Sequence, residues 1–300
     1  MYKNIIKQAW QITQEEKSKL FPYAFILSFF TTIVGIIYFS YQFIAFQNSD
    51  IFSSNEHSIN VMALAEQLWE FMKSSPSLGG LLVLCIVIAF LAYFLLPSLF
   101  SGVFIDIISK KALNTTSQKK SIVHGLENFF PVFEFSSLVS PFTFISFFSE
   151  ISIIMRTFEI ELWGVLLPII TIIFMIGIFL SILFSFAEQA IVIEKLNVIQ
   201  AIKRSSILVL ANVKDTLFLG FALTIIATRV FLNILLILLI PLVFMGIVTF
   251  MATITIKWLG MLLAVIISLL LFYVAIYLMA GFHIFSYSVW TLSFLAFREE

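Results

Sequence analysis

Two ionisable residues lie deep inside apolar stretches of this chain, and they are where chemistry is sought first. Arg229 falls within 216–247 and Glu150 within 131–155. A charge at membrane depth is costly, so it marks either a functional site or a structural pair. Counted from the ends of their runs, both are expected at comparable depth in the outer half of the bilayer, Arg229 ~20 Å along its helix. They are a candidate intramembrane charge pair. The functional reading is a gate or a substrate-binding charge. The structural reading is an ion pair inside the bundle, or an arginine that snorkels to the outer surface. Asp106, Glu134 and Glu188 fall near the inner ends of apolar runs, beside basic segments. They read as partners in interfacial hydrogen bonds and ion pairs, with proton binding as the functional alternative.

The other reactive residue types are scattered. His57, His124 and His283 belong to different segments, and the single cysteine, Cys85, sits in an apolar run. Metal ligation needs clustered donors, and an apolar setting raises a thiol pKa rather than activating it. There is no GxGxxG, Walker loop or HExxH, and no GxSxG elbow. The expectation is a non-enzyme with no catalytic residues, no cofactor, no metal and no nucleic-acid partner.

Composition dictates the elements that hold these residues. Of 300 residues, 61% are hydrophobic and 11% charged, and the mean hydropathy is +1.09. Soluble domains run nearer ~45–50% apolar and ~25% charged, so this is an integral membrane protein. The predicted fold is all-α: a polytopic membrane helix bundle of about six transmembrane helices with interfacial amphipathic helices. The spans are expected near 21–46, 78–108, 131–155, 163–186, 216–247 and 258–280, the last with a continuation to 297. Breaks are expected near Pro241 and Gly281. In the segment 1–20, Ile5, Ala9 and Ile12 share one helical face with Trp10 on its flank, the pattern of a helix lying in the interface. Similar amphipathic stretches occur in the loop 47–77, after Ser117, and between Phe186 and Phe221.

Charge placement gives the topology. With six spans, the segments 1–20, 109–130, 187–215 and the C-terminus share a side and hold thirteen of the seventeen Lys and Arg residues. The positive-inside rule then predicts cytoplasmic N- and C-termini. Lys7, Lys119, Lys120, Lys203 and Arg204 are candidate contacts to anionic lipids of the bilayer; the alternative is that they only enforce topology. The layout repeats: an amphipathic basic helix, an outgoing span and a returning span, in parallel units 1–110, 111–196 and 197–300.

Glu194, the run Gln200-Ala201-Ile202-Lys203-Arg204-Ser205 and Asn212 form a distinctive series. It resembles a recurrent segment of prokaryotic six-span proteins, among them the membrane domain attached to some glycerophosphodiester phosphodiesterases and its stand-alone relatives. The glycine customary in that turn is absent, with Leu196-Asn197 in its place. AWQIT near the N-terminus and VWTLSFLAFRE near the C-terminus are also similar to the family's ends. The resemblance implies a six-helix membrane domain. It implies no activity here, because the phosphodiesterase chemistry belongs to a separate soluble barrel. The expected function is a non-enzymatic membrane scaffold, anchor or partner subunit, working with a membrane-protein partner or as a homo-oligomer. The alternative is a transporter, or a protein that handles lipids or amphiphiles.

Overall fold

Apolar residues recur at helical spacing in the first segment, and they fold it as α1 (Tyr2–Glu15). Ile5, Ala9 and Ile12 are buried and Trp10 is exposed, as the periodicity requires. The computed structural model describes residues 2–47, 66, 69, 70, 72–115, 121–158, 160–251 and 257–299. The rest of the described chain is helical as well: α2 (Lys17–Gln47), α3 (Pro76–Ala112), α4 (Ser121–Glu127), α5 (Phe129–Val139), α6 (Phe144–Thr157), α7 (Ile160–Leu183), α8 (Ala187–Glu194), α9 (Val198–Ala211), α10 (Val213–Met251) and α11 (Lys257–Glu299). Five of these helices contain stretches long and apolar enough to cross a membrane. The pair α5 and α6, bent by 42° at the short 3₁₀ turn Ser140–Phe142, is apolar enough to count as a sixth when taken as one broken span. The chain is a multi-pass, all-α membrane bundle.

Local chemistry explains the ends. Pro76 opens α3, where its missing N–H is no loss. Lys110 and Lys111 close that helix against its negative end, and Asn114 then turns the chain with φ 51°, a conformation asparagine tolerates. The bend in the third span follows from Pro141 and Thr143. Proline disfavours continuing the α5 ladder. Thr143 then caps α6, its hydroxyl accepting from the Ser146 N–H at 3.4 Å. At the start of α9, Asn197 accepts from the Gln200 N–H at 2.9 Å while the Gln200 side chain reaches back to the Asn197 N–H, a capping box.

The expected breaks near Pro241 and Gly281 are absent: α10 and α11 run through both as single helices. One proline removes one ladder bond, and neighbouring helices restore the lost stability in membranes. A glycine in a helix costs only ~1 kcal/mol. These two helices hold 39 and 43 residues, or ~60 Å each at ~1.5 Å per residue, about twice a hydrocarbon core.

The excess length goes into a packed layer at the end of the bundle that carries α1, α4, α8 and α9, here the basic end. The core lies in this layer. It is built from α1, the start of α2 (Leu20, Ala24), the end of α3 (Val103–Ile108), α8, α9, the start of α10 (Leu219) and the end of α11 (Ile284–Phe297). Towards the far end α3 loses its neighbours. Residues 80–88 of α3 are exposed on every face, although nearly all are apolar. Lipid or another protein must cover them.

The tightest approach within the layer is between α3 and α4. A Cβ added to Gly125 would stand 2.6 Å from a Val103 methyl and 2.9 Å from the Leu99 carbonyl, and one on Gly102 would stand 3.0 Å from the Gly125 Cα. Gly102 therefore marks a helix crossing.

Candidate functional site

Polar groups at the basic end converge on two carboxylates of α8. Glu194, its last residue, is held by two arginines from distant parts of the chain. Arg204 of α9 donates through Nε and Nη2 at 3.3 and 3.5 Å, and Arg298 of α11 forms an ion pair with Glu194, its Nε 3.2 Å from the carboxylate. Lys195 follows in the left-handed conformation, φ 56°. Lys195 Nζ donates to Asn128 Oδ1 at 3.1 Å. Ser205 completes the junction: its hydroxyl accepts from the Phe186 N–H at 3.0 Å and donates to the Leu183 carbonyl at 2.7 Å. It thereby satisfies backbone groups freed where α7 gives way to α8. Ser205 is fully buried. We expect Ser205→Ala to cost ~1–3 kcal/mol, read as a lower thermal midpoint in detergent.

Glu188, one turn and a half earlier, lies among three hydroxyls from three other helices: Ser101 of α3, Ser136 of α5 and Tyr287 of α11. The Ser101 and Tyr287 oxygens are 2.6 Å apart, and Ser101 also donates to the Pro97 carbonyl at 2.9 Å. The carboxylate is half-buried. The cluster gathers side chains of four helices at one level.

A third cluster joins α1 to α3. Lys111 Nζ lies 2.9 Å from Glu15 and 3.5 Å from Glu16, and Lys19 lies 2.7 Å from Glu16. The hydrogen bond from Lys111, helped by Gln11, holds the Glu15 carboxyl below its ordinary value. Lys19, against a desolvation cost, does the same for Glu16. A carboxylate depressed by folding contributes stability that is present above its unfolded value and is lost as pH falls through its folded one. Docking of α1 should therefore weaken below ~pH 4.5, measurable as faster amide exchange at Ile5–Ile12. Above these clusters, a recess of about 480 Å³ opens on the basic surface, lined by Gln8, Glu15, Lys111, Asn114, Leu292 and Glu299 among others.

The structure does not bring Glu150 and Arg229 together. Leu219, Leu223 and Ile226 of α10 face Phe285 and Val289 of α11, and Gly220 faces Trp290. This antiparallel pairing sets Arg229 level with Gly281, one turn from Tyr277. Tyr277 bonds Lys17 at the start of α2. Glu150 instead neighbours Ser149, which bonds Tyr38 of α2. Lys17 and Tyr38 are separated by ~30 Å of helix. Arg229 thus belongs to the basic end rather than the outer half, because the first four turns of α10 are spent inside the packed layer. Among the described residues neither group has an ion-pair partner.

Of the candidate lipid contacts, Lys7 and Lys203 are exposed at the basic end, while Arg204 is engaged by Glu194. Lys119 and Lys120 lie outside the described residues, as do His57 and most of the predicted helix in the loop 47–77. Asp106 pairs with Lys110 at 2.7 Å, and Glu134 is exposed. Sequence reasoning missed Ser101, Ser136 and Tyr287. Each is an ordinary hydroxyl residue in an apolar run, far from Glu188 in the chain. The one available signal was Glu188 itself, a carboxylate at the edge of a span. Compared with known proteins, the chain matches no family model, no curated protein and no solved structure.

Proposed function

We propose that this chain is a non-enzymatic membrane module, a scaffold or partner subunit of a larger assembly in the cytoplasmic membrane of a prokaryote, with both termini cytoplasmic. One observation carries the reading: the carboxylates of α8 and of the α1–α2 corner, with Arg204, Arg298 and Lys111, are spent on joining helices. Glu194 joins α8, α9 and α11, Glu188 joins α8 to α3, α5 and α11, and Lys111 joins α3 to the α1–α2 corner. The result is a rigid base from which apolar helices extend with their sides uncovered. The likeness to the membrane domain of glycerophosphodiester phosphodiesterases belongs to the same proposal.

The test is gentle purification of the tagged chain from its native membrane, followed by native mass spectrometry. A stoichiometric membrane-protein partner or a defined homo-oligomer is expected. A monomer that moves a lipid or solute when reconstituted alone would overturn the reading in favour of transport.

A further inference from the structure

We propose that a groove on the lipid-facing side of α11 binds one anionic glycerophospholipid from the leaflet at the basic end, its phosphodiester held between Lys17 and Arg229. The inference is independent of whether the chain has a protein partner.

The groove follows from how α2 and α10 sit on α11. Phe21 of α2 packs on Tyr277, with ring centroids 5.2 Å apart. Around the axis of α11, Phe285 stands about 80° from Tyr277 at 3.6 residues per turn, and it faces Ala222 and Ile226 of α10. Between these directions α1 lies across the gap as a floor: Ile6 lines the same apolar junction with α10, and Trp10 meets Phe285 at 6.1 Å. Above this floor the wall of the groove is Gly281, and a Cβ added there would meet nothing within 4 Å. The opening is therefore real space at the level of the two cations.

Each cation is placed to serve it. Lys17 donates to the Tyr277 hydroxyl and stands 4.8 Å from the Tyr277 ring centre and 5.7 Å from that of Phe21. Those contacts aim it without neutralising it. The nearby carboxylates Glu15 and Glu16 are occupied by Lys111 and Lys19. Arg229 is exposed. It lies two turns beyond Ala222 on the same face of α10, so it projects over the α1 floor. An exposed arginine on an apolar helix requires an anion or water, and a guanidinium binds a phosphodiester through paired N–H donors. A free phosphate would fit the charges alone. A lipid also fits the rest: Tyr273 and Tyr277 are 53% and 38% exposed along the path of an acyl chain, and Trp10, 57% exposed, suits the headgroup level.

The full chain, purified in a neutral detergent, would be titrated with phosphatidylglycerol, with phosphatidylcholine of the same acyl chains, and with inorganic phosphate, reading retained mass by native mass spectrometry. One phosphatidylglycerol per chain is expected, retained at least fivefold over phosphatidylcholine, with phosphate not retained. Arg229→Gln and Lys17→Gln should each remove the preference, Arg229→Lys should keep part of it, and Lys7→Gln with Lys203→Gln should leave it intact. Gly281→Leu should fill the groove and displace the lipid at an unchanged thermal midpoint. Should Gly281→Leu prove unstable, the exposed Arg229→Gln decides. Retention that survives Arg229→Gln combined with Lys17→Gln would overturn the proposal. So would phosphate binding as tightly as the lipid, which would make this a free-anion site.

Discussion

Replacing Glu194 with alanine should leave Arg204 and Arg298 facing one another across the end of α8 with no anion between them. Both arginines are partly solvated, with side-chain exposures of 35% and 46%, whereas Glu194 is 14% exposed. The cost is therefore set below that of a fully buried pair. About 2–3 kcal/mol is a fair expectation for losing charge-assisted bonds and stranding two cations, equivalent to roughly 4–12 °C at ~2–4 °C per kcal/mol. Glu194→Gln keeps the shape and one acceptor, so it should fall between wild type and alanine. The decisive comparison is a cycle with Arg204→Ala and Arg298→Ala. If Glu194 is a clamp, the effects are non-additive and each arginine variant is milder than Glu194→Ala. Equal midpoints for wild type and Glu194→Ala would show that the carboxylate holds nothing.

Gly125→Leu should be the most damaging substitution on the α3–α4 contact. The added Cβ alone meets the Leu99 carbonyl at 2.9 Å. That oxygen is backbone inside a helix and cannot rotate aside, although the Val103 methyl can. Overpacking of this kind costs ~1–3 kcal/mol for one carbon, and a leucine extends the clash to the whole crossing. We expect Gly125→Ala to lower the thermal midpoint and Gly125→Leu to yield little monodisperse protein by fluorescence-detected gel filtration. Gly35→Ala and Gly164→Ala are matched controls, since a Cβ at either meets nothing within 4 Å. They should be neutral or stabilising by up to ~1 kcal/mol. A Gly125→Leu chain as monodisperse as these controls would mean that α4 is not packed against α3 in solution.

The contrast between what could and could not be read from the chain follows from the range of the signals. The face Ile5–Ala9–Ile12 was legible because its period is local and its burial is one-sided. The existence of the spans was legible because apolar length is a local property. Depth was not. In a long apolar run nothing says which part faces lipid and which faces a protein core, so the level of Arg229 relative to Glu150 was not legible. The Glu188 cluster was illegible for another reason. Ser101, Ser136 and Tyr287 meet Glu188 only through the crossing of four helices, and no periodicity links them. Glu194 and Arg204 lie ten residues apart and were legible as a series, but their partner Arg298 was not.

The first helix is seated on the last. Ile5, Ala9 and Ile12 join the same core as Phe285, Val289 and Leu292, about 280 residues further along the chain. At ~5–20 residues per second of synthesis, α1 must wait tens of seconds after its own emergence for the surface it is to cover. During that interval its apolar face can rest only on the membrane or on a helper protein. The basic end is thus sealed last, by the two segments made furthest apart in time. A ribosome stalled anywhere before α11 leaves α1 without the surface that it covers in the folded chain.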